Sequence, residues 1–260
     1  MNENHLLEKL RQGKTVFGTW AMSGSATVIE VIGRTGLDFV ILDMEHGSMS
    51  FETVEHMVRT AECTGCQPIV RVADSSESTM LRALETGSRG IMVPHVSSAR
   101  EARRIIDACR YSPEGSRGLS PYTRNHDFTH QNLVSSLDAN NRNTLVGILV
   151  EGKKGIANLE DIASVNGLDL IYMGIYDISQ SIGLPGELNH PKVINIQRNC
   201  VETLRAKGIA AGSFARDEEY ISILQQCGFQ FIAYSVDAFV LKQAYLRILE
   251  KIGRKERTRP

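Results

Sequence analysis

The sequence predicts a single (β/α)8 barrel, on three observations: eight short apolar runs, a helical period in the segments between them, and polar residues standing just after the runs. The 260 residues carry 29 Lys+Arg against 30 Asp+Glu, with 42% hydrophobic residues. That length suits one barrel domain over 1–260, with 1–13 and 253–260 as terminal extensions. A balanced charge supplies no field to draw nucleic acid or an anionic membrane surface. No apolar run approaches the ~18 residues of a spanning helix, and the N-terminus lacks the apolar stretch of a signal peptide. A soluble, cytoplasmic protein is expected. Five cysteines, an odd count, fit a chain that needs no disulfides, and Cys63 and Cys66 read as plain buried or half-buried thiols.

The strand-like runs are Thr15–Trp20, Asp38–Asp43, Pro68–Val72, Gly90–Val93, Thr144–Val150, Leu168–Met173, Ile209–Phe214 and Phe229–Tyr234. Their near-continuous apolarity suits strands covered on both faces, as in a parallel sheet. Between them the period changes to about 3.6. Val54, Met57, Val58 and Ala61 share one helical face, as do Ala102, Ile105, Ile106 and Cys109. Ser98 with Glu101 forms a capping box for the second of these helices. A last helix is expected over about Ala238–Lys251, with the RKERTRP tail fraying. An open doubly wound sheet is the alternative, but the segment Gly18–Gly24 fits neither a dinucleotide fingerprint nor a phosphate loop, so no nucleotide cofactor is expected. One long polar connection, Tyr111–Asn143, separates the fourth and fifth strands. Its His126 and His130, with Arg124, are candidates to reach the mouth or a neighbouring subunit.

A barrel of this kind builds its site at the C-terminal ends of the strands. Asp43, Glu45 and His46 follow the second strand, Arg71 lies in the third, and His95 follows the fourth. Glu151 ends the fifth and Asp177 follows the sixth. Two carboxylates on neighbouring strands suit a hard divalent cation such as Mg²⁺ or Mn²⁺. Asp43 and His46 are close enough for a carboxylate to orient an imidazole as a general base. An arginine closing an apolar strand must face the mouth or find a carboxylate there, where it would stabilise an anionic oxygen. Cation, base and arginine together suit proton abstraction beside a carbonyl, with an enolate held on the cation. The imine route is not expected, because no lysine sits within an apolar strand.

These segments resemble the HpcH/HpaI aldolases, from about Phe17 to Asp237. They are FGTW (17–20), GLDFVILDMEHG (36–47), PIVRV (68–72), GIMVPHV (90–96), RYSPEGSRG (110–118), VEG (150–152), MGIYDISQSIGLPG (173–186), KGIAAG (207–212) and GFQFIAYSVD (228–237). The resemblance implies a carbon–carbon lyase that cleaves a 4-hydroxy-2-oxo acid to pyruvate and an aldehyde, with a divalent cation, Mg²⁺ or Mn²⁺ first and Co²⁺ after them, as cofactor. It implies that Glu151 and Asp177 ligate the cation, His46 is the base with Asp43 orienting it, and Arg71 stabilises the enolate oxygen. Gly174, Ile175 and Tyr176 would hold the substrate carboxylate through backbone amides, with Trp20 and His95 as further substrate contacts. It also implies a homo-oligomer, commonly a hexamer.

The chain departs from the family pattern at Leu149, where Gln is usual, at Ile175, where Pro is usual, and at His95, where Met is frequent. These departures lie on the acceptor side and leave the enolate machinery intact. Two alternatives follow: a citrate-synthase-like condensation of oxaloacetate with acetyl-CoA, suggested by Ser120–Arg124, and a catalytically silent keto-acid-binding barrel.

Overall fold

The computed structural model describes residues 4–254; residues 1–3, and 255–260 of the tail expected to fray, lie outside the described residues. Eight parallel strands pair in chain order and close between the last and the first. They are β1 (Val16–Ala21), β2 (Phe39–Asp43), β3 (Gln67–Arg71), β4 (Gly90–Val96), β5 (Leu145–Val150), β6 (Leu170–Met173), β7 (Ala210–Ala215) and β8 (Phe231–Val236). Each matches a run read from the sequence, displaced by three residues at most.

Two apolar layers explain why these strands carry no polar face. Val40, Leu42, Val70, Ile91, Val93 and Ile148 point outward against helices such as Phe51–Thr64 and Ala99–Cys109. Alternate residues, among them Val16, Ile41, Ile69, Leu145, Leu170 and Phe231, fill the barrel interior. Phe39 stacks on Phe231 at 3.8 Å between centroids. Gly18 makes room for that stack, since a Cβ there would lie 2.3 Å from the Phe39 ring. Ser98 caps its helix by accepting the Glu101 amide at 3.3 Å, while the Glu101 carboxylate reaches back to the Ser97 amide rather than to that of Ser98.

The N-terminal segment, expected only as an extension, includes the helix His5–Arg11. Its Leu6, Leu7 and Leu10 are buried in the interior cluster and close the barrel floor. Leu7→Ala should therefore destabilise the protein by about 2–5 kcal/mol, read as a lower denaturant midpoint with unchanged slope.

The long connection Tyr111–Asn143 lies on the floor as well, so the expected approach of His126 and Arg124 to the chain's own mouth is not observed. The reason is directional. The helix Ala99–Cys109 runs back against β4, so the chain leaves it at the floor and must re-enter β5 from there. The connection folds into a short turn, Arg124–His126, and a helix, Leu133–Asn143. Arg110 donates to the Asn141 and Thr144 carbonyls, and Asn125 to that of Leu84. His126 is buried, with Nδ1 2.7 Å from the Ser136 hydroxyl and Nε2 3.1 Å from the Tyr111 hydroxyl. Burial lowers its pKa, so it is a neutral structural imidazole. The five cysteines are free; Cys63 is exposed, contrary to expectation, and burial pushes the Cys66 thiol up to about 12. Among the described residues no helix is long and apolar enough to cross a membrane.

Candidate active site

A cavity of about 430 Å³ opens at the carboxyl ends of the strands, lined by Trp20, Asp43, Glu45, His46, Arg71, His95, Glu151, Tyr172, Gly174, Ile175, Tyr176 and Asp177 among others. Every residue read from the sequence as catalytic, metal-ligating or substrate-binding lies on this wall, whereas Arg124, His126 and His130 do not.

Parallel pairing places Asp43 beside Arg71 in register. The guanidinium is buried, with Nε donating to Asp43 Oδ1 at 3.0 Å and Nη2 donating to Oδ2. Its Nη1 lies 3.1 Å from Glu45 Oε2. The guanidinium also stacks on the Trp20 ring, 4.4 Å from the centroid. Arg71 thus faces the mouth and has carboxylate partners there too.

The expected pairing of Asp43 with the His46 imidazole is not formed. Asp43 Oδ1 instead accepts the backbone amides of Glu45 and His46, each at 3.0 Å, besides Arg71. The carboxylate therefore shapes the turn after β2 and leaves the exposed imidazole to face the cavity without it. Glu45 is the residue to which sequence reasoning gave no role. Its side chain joins Arg71 to His95, whose Nε2 is 2.9 Å from Glu45 Oε1.

His95 reaches that place through an irregularity. The β4–β5 register shifts between Val93 and Val96, and His95 adopts φ 59 in the left-handed region. Its amide donates to Glu151 Oε1 at 3.3 Å, and its Nδ1 lies 3.6 Å from the same oxygen. The Pro94-His95 pair thus turns a backbone donor and a ring toward the carboxylates.

Glu151 and Asp177 face each other across Gly174. A Cβ at Gly174 would lie 2.9 Å from Glu151 Cγ and 3.5 Å from Asp177 Oδ2, so only glycine leaves the two carboxylates their shared space. Burial and the neighbouring Asp177 push the Glu151 carboxyl above the usual carboxylate range, while the His95 contacts pull it down. Beside them the helix Ile175–Ser181 begins with no side-chain cap, and the amides of a first helical turn have no intrahelical acceptor. Trp20 turns its indole N–H to the Tyr172 hydroxyl at 3.1 Å and offers the cavity its ring. Tyr172 went unread in the sequence. The signal was alternation along β6, which sends Leu170, Tyr172 and Gly174 inward together.

A parallel barrel with carboxylates, imidazoles and a guanidinium gathered at its strand ends has the architecture of an enzyme whose mouth handles negative charge on a small oxygenated substrate. The chain belongs to the HpcH/HpaI aldolase/citrate lyase family, whose model matches residues 16–244, and it is a carbon–carbon lyase. It is 32% identical to 2-dehydro-3,6-dideoxy-6-sulfogluconate aldolase of Pseudomonas putida, over 94% of this chain and 96% of the relative. It is 30% identical to 2-keto-3-deoxy-L-rhamnonate aldolase of Klebsiella pneumoniae, over 92% and 90%. Among solved structures it is similar to the citrate synthase SbnG, with a TM-score of 0.84 and 31% identity over 95% of this chain and 98% of that one. A family protein from Burkholderia cenocepacia J2315 gives a TM-score of 0.90 at 27% identity, over 96% and 99%.

Proposed function

We propose that the protein cleaves a 4-hydroxy-2-oxo acid reversibly to pyruvate and an aldehyde, and that Glu151 and Asp177 hold a divalent cation, Mg²⁺ or Mn²⁺, in doing so. The observation that carries this reading is the pair of carboxylates converging over Gly174 in the cavity that also holds Arg71. Two like charges in that space, one of them with a raised pKa, fit a hard cation that accepts two carboxylates and leaves its other positions to water and substrate oxygens. When bound, the cation supplies Lewis-acid stabilisation of charge on the keto acid's oxygens.

The protein's own groups do the rest. The open amides at Ile175 and Tyr176 bind the substrate carboxylate, and Arg71, held by Asp43 and Glu45, lies against the C2 oxygen. The His46 imidazole takes the proton of the 4-hydroxyl. The C3–C4 bond then breaks, a carbonyl forms at C4, and the electron pair passes to C3 and the C2 oxygen as the enolate of pyruvate. Protonation at C3 completes the cleavage. His95, Trp20 and Leu149 shape the space left for the aldehyde. A homo-oligomer is supported by the helix Asp237–Lys251, which exposes Leu241, Tyr245 and Ile248 along one face.

The test is exchange of the pyruvate methyl protons in D2O, followed by NMR with Mn²⁺ and again after chelation. Metal-dependent exchange is expected. Its absence, with acetyl-CoA consumed alongside oxaloacetate, would move the reading to a citrate-forming enzyme; absence of both would leave a silent binding barrel.

The raised Glu151 pKa also gives a stability test. A carboxyl raised in the folded state favours folding while protonated, and that contribution is lost as pH rises through its folded value. A cation binds Glu151 best at neutral pH, where protons no longer compete. Saturating Mn²⁺, at about 100 times its dissociation constant, should raise the melting midpoint by roughly 5–10 °C at pH 7.5. The rise should shrink toward pH 5.

A further inference from the structure

Tyr172 is the polar group on the cavity wall that the reaction above leaves without a task. It is a buried residue, and its hydroxyl accepts the Trp20 indole N–H. A phenol can accept and also donate one hydrogen. The bond from Trp20 uses the acceptor capacity, and no group among the described residues receives the phenolic hydrogen. A buried donor without an acceptor is costly, so its acceptor must come from whatever fills the cavity. Arg71 stacks on the same indole, and its charge acts on the Tyr172 phenol. Two donors therefore flank one ring at the edge of one cavity.

We propose that Tyr172 donates its phenolic hydrogen to the C2 oxygen of the bound keto acid, as a second donor beside Arg71 on the oxygen that gains charge when the enolate forms. The assignment rests on the lyase reading above. Burial holds the phenol well above its ordinary pKa, so it stays protonated and acts as a donor, never as the base. It adds no limb to the pH profile.

Tyr172→Phe, which removes the hydroxyl alone, tests this in the Mn²⁺-loaded protein. The rate of pyruvate methyl exchange at saturation should fall about 10- to 100-fold, with KM within about threefold of wild type, as expected for a donor whose bond strengthens toward the transition state. Oxalate, a planar dianion shaped like the enolate, should bind about tenfold more weakly by calorimetry. Emission from Trp20, the single tryptophan of the chain, checks that the indole stays buried. Site-specific 3-fluorotyrosine at position 172 is a stronger donor and a weaker acceptor. It should tighten oxalate, whereas a hydroxyl that only holds the indole would not.

Exchange and oxalate affinity both within threefold of wild type in Tyr172→Phe would overturn the proposal, as would weaker oxalate binding with fluorotyrosine. A wild-type protein that neither exchanges pyruvate nor binds oxalate would remove the lyase reading itself, and this assignment with it.

Discussion

Glu151→Gln and Asp177→Asn are each expected to lower pyruvate exchange by at least about 10³-fold, the effect of losing several kcal/mol of charge stabilisation. Calorimetric Mn²⁺ affinity should fall with it. The fold should survive, and the sign of its stability change identifies the cause. Glu151 is the carboxyl whose pKa is raised by burial and by Asp177. A neutral amide there removes a like-charge contact, so the metal-free Glu151→Gln protein should melt no lower than metal-free wild type at pH 7.5. Loss of turnover with an unchanged or higher midpoint separates a binding role from a structural one. Full turnover in either variant without metal would sink the assignment of the pair.

Arg71→Ala is expected to combine two losses. Removing one stabiliser of a developing oxyanion costs about 10²–10³-fold in rate. The variant also leaves Asp43 buried, with only 3% of its side chain exposed and its bidentate partner gone. Stranding one member of a buried ion pair costs about 3–5 kcal/mol, which for a chain of this size lowers the midpoint by roughly 10 °C. Arg71→Lys should restore part of the midpoint and little of the rate. An ammonium cannot reproduce the planar fork that spans both Asp43 oxygens and Glu45. A lysine variant with near wild-type exchange would show that only the charge matters.

The barrel was legible because each strand is apolar on both faces, a pattern that suits a parallel sheet covered inside and out. The site was legible because a barrel's chemistry collects at strand ends, where Glu151, Asp177 and Arg71 could be picked out one by one. What remained hidden was competition between elements. Three residues separate Asp43 from His46, and spacing alone makes them partners; Arg71, in register on the next strand, takes that carboxylate instead. Tyr172 sat in an apolar run whose alternation carried the signal, and the register that sets it beside Leu149 across β5 and β6 shows which alternate set faces inward. The floor position of Tyr111–Asn143 was within reach of reasoning, since a connection that leads into a strand must start from the floor.

The helix His5–Arg11 has a consequence for how the chain is made. Its three leucines share the interior cluster with Leu145, Leu170, Ala210 and Phe231, which leave the ribosome more than 130 residues later. At about 5–20 residues per second, roughly 10–45 seconds separate the first of these segments from the last. Throughout that interval the leucines have only an incomplete floor to cover them. A segment synthesised before every strand it helps to cover is therefore among the last to find its full set of neighbours, and a nascent chain stalled before β8 presents a sticky, unpaired stripe there.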